Sequence, residues 1–157
     1  MAAIKNAREA ALALLSRRDH SCLELRQKLS RHFAQDEITE VLDGLQQQGY
    51  LDDLRFACGY VRYAGGRFGV HRLRGDLQRR GVSAHHIDDA LAAELSAPEW
   101  CRALVVLKKK YKTVPMADKM RAQAGRFLQS RGFAEAAAMT AIKEYAGDMT
   151  DETDWSG

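Results

Sequence analysis

Two adjacent carboxylates, Asp52 and Asp53, stand in the stretch GYLDDLRF and are the residue types most suggestive of chemistry. Such a pair can bind a divalent cation or perform general acid–base catalysis. An equally specific structural role exists. If Asp52 is a helix N-cap, Leu51 and Phe56 take the two positions of a hydrophobic staple, and Asp53 in the first turn is favoured by the helix dipole. We predict helix capping and keep a metal-dependent hydrolase as the lesser alternative.

The other reactive side chains are not spaced for catalysis. His85 and His86 are consecutive, so on a helix they point about 100° apart and cannot share a metal ion as an i, i+4 pair would. The segment GGRFG follows a predicted helix, not a strand, so we interpret its glycines as giving a connection freedom, not as a phosphate cradle. Cys22, Cys58 and Cys101 lie far apart, which fits buried thiols in a reducing cytoplasm. We predict no enzyme, cofactor or metal.

The composition is that of a folded helical protein, and its basic body suggests an anionic partner without identifying one. The 157 residues are 46% hydrophobic and 29% charged, with only two prolines. No apolar run approaches the roughly 20 residues that span a membrane. The formal charge is +3, but the last ten residues hold four acidic groups and no basic one, which leaves +7 on residues 1–147. We predict residues 148–157 to be an acidic, flexible tail.

A three-part repeat organises the chain. Three related segments each end a predicted helix, at offsets of 48 and 51 residues: LRQKLSRHF (25–33), LRGDLQRRGV (73–82) and AGRFLQSRGF (124–133). Each leads into a helix with one apolar stripe. A unit of this length holds three helices. We therefore predict an all-α fold of three tandem three-helix repeats forming an elongated curved array, with repeats at 1–50, 51–95 and 96–147.

The same local signals recur at the other predicted helix starts. Staple pairs with the five-residue offset are Phe33/Ile38, Phe68/Leu73, Val82/Ile87 and Leu95/Trp100. Capping boxes are predicted at Ser21/Glu24 and Ser96/Glu99. These signals favour structure over chemistry at each helix start.

The densest basic region is VRYAGGRFGVHRLRGDLQRR, residues 61–80. Three of its charges, spaced i, i+4 and i+8, can form a neutralising surface ladder: Arg72, Asp76 and Arg80. This ladder does not explain Arg67, Arg74 and Arg79. In this interpretation they have no acidic neighbour at helical spacing, so they are better suited to binding phosphates or an acidic protein surface. The predicted binding residues of this region are Arg67, Arg72, Arg74 and Arg79.

A second basic cluster surrounds Tyr111 in LKKKYKTVP, and its residues are Lys108, Lys109, Lys110 and Lys112. Lysines at a helix C-terminus are favoured by the dipole, so a solvated helix end is the main interpretation and partner binding the second. Phe68 and Tyr63 could stack on nucleic-acid bases, although Phe68 is already a staple residue. The helices that follow each basic segment are acidic in the first two repeats, which argues against major-groove readout and leaves weak backbone binding open.

Four linked motifs resemble the bacterial recombination regulator RecX: RRDHSCLELRQKL (17–29), GYLDDLRFACGYV (49–61), GRFGVHRLRGDLQRRGV (66–82) and RFLQSRGF (126–133). The resemblance covers about residues 8–145. One departure is Gly69-Val70, where the family often has Gly-Pro, a residue suited to the first helical position.

The resemblance implies three tandem three-helix repeats in a cytoplasmic, non-enzymatic protein. Its implied partners are RecA and the RecA–DNA filament, whose ATPase, recombinase and strand-exchange activities it would lower, modulating recombinational DNA repair and the SOS response. Weak binding to single- or double-stranded DNA is also implied, and we expect a monomer that does not bind membranes. The alternative is an all-α protein that binds the DNA phosphate backbone without RecA.

Overall fold

The computed structural model describes residues 6–115 and 117–152, and side chains up to residue 147. These residues form nine helices and no strand, which confirms the predicted all-α class. The helices are α1 (Ala7–Leu15), α2 (Cys22–Leu29), α3 (Gln35–Gln47), α4 (Asp53–Ala64), α5 (Val70–Arg79), α6 (Ala84–Glu94), α7 (Glu99–Lys110), α8 (Asp118–Ser130) and α9 (Glu135–Glu152).

The helices are divided between two compact units. The first unit comprises Met1–Tyr60 and Asp76–Ala93, and the second comprises Val61–Gly75 and Glu94–Gly157. Helices α4 and α5 therefore contribute residues to both, as does α6 through its last residue, Glu94. The division into two units does not test the repeat boundaries, so the repeats at 1–50, 51–95 and 96–147 stay a prediction.

The apolar stripes build the core of the first unit. Ile38, Leu42 and Leu45 form the apolar stripe of α3 and are fully buried against α1 and α2. Leu25 and Leu29 supply the face of α2. Their spacing puts one apolar side on each helix, and burying these sides together removes them from water.

The two adjacent aspartates cap two different helices of the first unit. The backbone N–H of Arg55 donates to Asp52 Oδ1 at 3.0 Å, so Asp52 caps α4 as predicted. Leu51 and Phe56 are 2% and 7% exposed, in accord with the predicted staple. Asp53 Oδ1 accepts a hydrogen bond at 2.8 Å from the backbone N–H of Cys22, the first residue of α2. The pair is thereby engaged in helix capping.

Most other predicted helix starts are found where expected. The Ser21/Glu24 capping box is present with both of its hydrogen bonds. Helices α3, α5 and α6 begin at Gln35, Val70 and Ala84, the positions that the staple pairs require.

The predicted start of α7 is wrong. This helix begins at Glu99 with Pro98 as its N-cap, two residues beyond the start that the Ser96/Glu99 box would set, so that box and the Leu95/Trp100 staple do not form. Pro98 has φ −53°, a value the proline ring fixes and a helix start accepts. The carboxylate of Glu99 accepts instead from the backbone N–H of Val70.

The second unit has its own core, formed mainly where α7 and α8 pack against α9. Its fully buried side chains include Leu107, Leu128 and Ala141. The hydroxyl of Tyr145 donates to the carbonyl of Tyr111 at 2.8 Å, which ties α9 to the end of α7. These contacts fix the last turn of α7, where the lysine cluster lies.

The predicted acidic tail overlaps the end of the described chain. Helix α9 continues to Glu152, so the backbone of the tail's first five residues is helical. Residues 153–157 and the side chains from residue 148 onward lie outside the described residues.

None of the described helices is long and apolar enough to cross a membrane. The three cysteines are half-buried, so the expectation of buried thiols holds only in part.

Candidate anion-binding site

The connection between α4 and α5 is held in place by a single guanidinium of the second unit. Nη1 of Arg102, on α7, donates to the carbonyls of Gly65 at 2.7 Å and Phe68 at 3.0 Å. Burial lowers the pKa of Arg102, and the negative charge of Glu99 opposes this shift. The charge of Arg102 is thus directed at two carbonyls, which fixes the loop that carries Arg67.

Close packing, not conformational flexibility, explains why the connection ends in a glycine, Gly69. The backbone N–H of Gly69 donates to the carbonyl of Arg131 at 2.9 Å. A Cβ on Gly69 would lie 2.3 Å from backbone atoms of Gly132. Gly132 has φ +87°, and a Cβ there would lie 2.3 Å from Cβ of Arg72. The interpretation of Gly69 as a flexible residue is therefore wrong: it lets two loops approach closely.

The ring of Phe68 is surrounded by three guanidinium groups. The Cζ atoms of Arg72, Arg67 and Arg131 lie 4.8, 5.5 and 5.6 Å from its centroid. Arg67 also lies 4.6 Å from the ring centroid of Tyr63. Cation–π attraction favours these placements. The two aromatics considered for base stacking thus already contact arginine side chains.

A cleft of about 230 Å³ opens beside this arrangement. It is lined by Gly66, Arg67, Val106, Lys109, Lys110, Phe127 and Arg131, which we call the basic cleft. Lys110 Nζ and Arg131 Cζ lie 5.5 and 5.3 Å from the centroid of Phe127, whose ring also meets Tyr111 edge-on. The basic cleft thus combines apolar surface with four cations.

The cations of the basic cleft have no acidic partner among the described side chains. Within the described part of the chain, no carboxylate forms an ion pair with Arg67, Lys109, Lys110 or Arg131. Like charges held close together repel one another, and an anion bound among them relieves that repulsion. The arrangement is chemically suited to binding carboxylates or phosphates.

The structure brings together three of the eight predicted binding residues, Arg67, Lys109 and Lys110, from two segments far apart in sequence. Arg72 contacts Phe68 outside the cleft lining, and Arg74 is half-buried and has interaction partners. Lys108 Nζ lies 5.6 Å from the ring centroid of Tyr145. Lys112 is exposed beyond the end of α7.

Arg79 belongs to the first unit and is paired. Its guanidinium forms an ion pair with the carboxylate of Asp76, three residues earlier, so the expectation that it lacks an acidic neighbour at helical spacing is wrong. The hydroxyl of Tyr60 donates to the same carboxylate, which is buried. Asp76 is therefore a structural acceptor.

The predicted surface ladder is wrong at its last residue. Nε of Arg80 lies 3.5 Å from the carboxylate of Glu24, and its Nη1 donates to the main-chain oxygen of Asp76, not to the carboxylate. Its guanidinium also stacks on Tyr60 at 4.7 Å. Tertiary partners thus override helical spacing here.

Three residues of the site were missed from the sequence: Arg102, Phe127 and Arg131. Arg131 and Phe127 lie in the third copy of the repeated motif, which was itself recognised, so the signal was present. No sequence signal pointed to Arg102, because its role depends on carbonyls 34 and 37 residues away.

The described residues do not form a candidate metal-binding site. They contain no group of three or more His, Cys, Asp or Glu side chains that could hold a metal ion. His85 Nε2 lies 3.3 Å from Asp89 Oδ2, an ordinary i, i+4 surface contact.

The two adjacent aspartates cap helices, and four cations line an aromatic-walled cleft, so fold and site together define an all-α protein with a candidate anion-binding cleft. Comparison with known proteins identifies it further. Residues 7–50 match the first three-helix domain of RecX, and residues 52–91 match the second. The chain belongs to the RecX family, as its motifs predicted.

The relatives cover most of the chain. Regulatory protein RecX of Leptothrix cholodnii is 39% identical over 124 residues, 78% of each protein. Regulatory protein RecX of Ralstonia nicotianae is 36% identical over 148 residues, 92% of this chain and 90% of the relative. The crystal structure of RecX from Lactobacillus salivarius has the same fold, with a TM-score of 0.78 over 89% of this chain and 94% of that one at 21% identity.

Proposed function

We propose that this protein is a non-enzymatic cytoplasmic regulator that binds RecA and the RecA–DNA filament. Binding lowers RecA's ATPase, recombinase and strand-exchange activities and so modulates recombinational DNA repair and the SOS response. The observation that carries the proposal is membership of the RecX family across most of the chain, with relatives named as regulatory proteins.

The basic cleft is the proposed contact surface of the second unit. Its four cations, which form no ion pair with a described carboxylate, are suited to an acidic surface of the partner, and such charges speed association and set the orientation of binding. A ligand that favours one arrangement of a moving filament slows any step that needs the other arrangement. The further candidate contact residues are Arg72, Arg74, Arg79, Lys108 and Lys112.

RecA's DNA-dependent ATPase, measured with and without this protein, tests the proposal. We expect inhibition by the wild-type chain. The triple variant Arg67→Glu, Lys109→Glu, Lys110→Glu should need at least about tenfold more protein for half-inhibition, since each lost charge contact is worth about 1 kcal/mol or more. Its circular dichroism and melting temperature should stay near wild type.

A matched control lies in the first unit. Arg17, Lys28 and Arg31 are exposed, line another surface depression and form no ion pair with a described carboxylate. Reversing these three charges makes the same change in net charge and should leave inhibition near wild type. An unchanged ATPase rate at saturating wild-type protein would overturn the function, and equal weakening by both triple variants would overturn the assignment to the basic cleft.

The second candidate is DNA binding without RecA, which is favoured by the same four cations because they could also meet phosphates. It predicts tight binding to bare DNA at physiological ionic strength, with an affinity that falls steeply as salt rises. Fluorescence anisotropy of labelled DNA across a salt titration separates the two functions.

A further inference from the structure

We propose that the basic cleft binds an acidic peptide segment, in which several carboxylates flank one large apolar side chain. This deepens the proposed function and rests on it only for the identity of the protein that carries the segment. The juxtaposition that supports it is four cations around apolar surface from Val106 and Phe127.

The size of the cleft sets the apolar part of the ligand. At about 230 Å³ it is smaller than the roughly 300–1,000 Å³ of small-molecule sites, so it suits a single side chain. Val106 and Phe127 provide apolar contact for it, and an apolar anchor in a pocket is the usual source of affinity at a peptide interface.

The positive charges of the basic cleft determine the polar part of the ligand. Arg67 and Arg131 carry planar guanidiniums that can hold a carboxylate through two parallel hydrogen bonds, while Lys109 and Lys110 act as point charges. Their four positive charges come from three segments: the loop after α4, the end of α7 and the end of α8. A segment with one carboxylate would leave most of them unmatched, so several acidic residues are required.

A peptide suits these features better than a nucleic acid does. Binding of single strands relies on aromatic faces onto which bases stack, along a groove that tracks several nucleotides. Here Phe68 already contacts three guanidiniums, and Phe127 contacts Lys110, Arg131 and the edge of Tyr111. A base stacked on either ring would have to displace these side chains, whereas the one apolar side chain of a peptide needs only the part of Phe127 that lines the cleft, beside Val106.

The test uses the full chain and a fluorescein-labelled peptide of alternating Glu and Asp around one central Phe. We expect saturable binding by anisotropy at physiological salt. Lys109→Glu should weaken binding at least about tenfold, because it replaces attraction by repulsion. Lys28→Glu, an equally exposed lysine of the first unit, should leave it within about twofold. The same peptide with alanine for phenylalanine should bind at least about fivefold more weakly.

Several outcomes would overturn the inference. Equal binding to wild type and Lys109→Glu would place the peptide elsewhere, and equal binding of the alanine peptide would remove the apolar contact. A labelled oligothymidylate that binds more tightly than the peptide, and is weakened by Lys109→Glu, would assign the cleft to nucleic acid. The RecA ATPase assay is a separate readout: peptide binding that depends on Lys109 without ATPase inhibition would overturn the proposed function and leave this inference standing.

Discussion

The backbone N–H of Val70 donates to Glu99 Oε1 at 2.9 Å, between residues 29 positions apart. Val70 is the first residue of α5, where a helix leaves its N–H without an internal partner. The motif from which this chain departs has proline here, which has no N–H to donate. Val70 therefore makes a hydrogen bond that proline could not make. This bond links the start of α5 to the start of α7 within the second unit.

Val70→Pro should lower the free energy of unfolding, even though proline suits the first turn of a helix. The lost hydrogen bond to a charged acceptor is worth about 1.5–3 kcal/mol, against about 0.4–1 kcal/mol gained from a stiffer unfolded chain. Urea denaturation of Val70→Pro, Glu99→Ala and the double variant measures the coupling. We expect at least about 1 kcal/mol of interaction energy, and additive effects would contradict the bond's contribution.

Gly132→Ala should destabilise more than Gly49→Ala. Both glycines have positive φ, +87° and +80°, so both substitutions carry the same strain of about 1–2 kcal/mol. Only at Gly132 would the new Cβ collide with another residue, since Gly49 has no atom within 4 Å of that position. Thermal melts of the two variants should differ by several degrees, and equal losses would show that the Gly132–Arg72 approach can relax.

The local signals of the sequence predicted the scaffold well, because helix caps and staples depend on residues within one turn. Leu51, Asp52 and Phe56 are an example: their spacing alone placed the start of α4. Signals of the same kind failed at α7, where Pro98 took the N-cap position.

The candidate site was less predictable, because its contacts join distant segments. Sequence spacing identified Arg67 and the lysines of α7 as separate basic groups, but it could not place them around one cleft. It placed Asp53 correctly in the first turn of its own helix, but it could not predict that Asp53 also caps α2 from 31 residues away. Contacts of this kind follow from tertiary packing and leave no periodic pattern.

Two substitutions at Asp53 separate its capping role from its charge. Asp53→Ala removes the acceptor for the N–H of Cys22 and should cost about 1 kcal/mol of stability. Asp53→Asn retains a carbonyl acceptor of similar shape and should cost less at neutral pH. Chemical denaturation measures the free energy of unfolding of both variants, with Asp52→Ala as a second N-cap variant for comparison. Equal losses of stability in Asp53→Ala and Asp53→Asn would show that the charge is essential.

The stability of Asp53→Asn relative to wild type should rise with pH. Burial raises the pKa of Asp53 above its ordinary value, although the Cys22 N–H bond opposes this. The folded protein then binds the proton more tightly than the unfolded chain, so wild-type stability falls as pH rises from the unfolded pKa through the folded one. Asparagine cannot ionise, so the difference should grow from about pH 4 to about pH 7. A difference that is independent of pH would contradict the raised pKa.

Arg102→Met should loosen the loop that presents Arg67. It removes both hydrogen bonds to the carbonyls of Gly65 and Phe68 and should cost about 2–3 kcal/mol, since bonds from charged donors are stronger than neutral ones. Arg126→Met, an exposed arginine of α8, is the control and should stay within about 0.5 kcal/mol. Hydrogen exchange adds a local readout at the backbone N–H of Gly69, which donates to Arg131. Its exchange should accelerate more than that of buried α3 amides in the other unit, and uniform acceleration would mean that Arg102 supports global stability only.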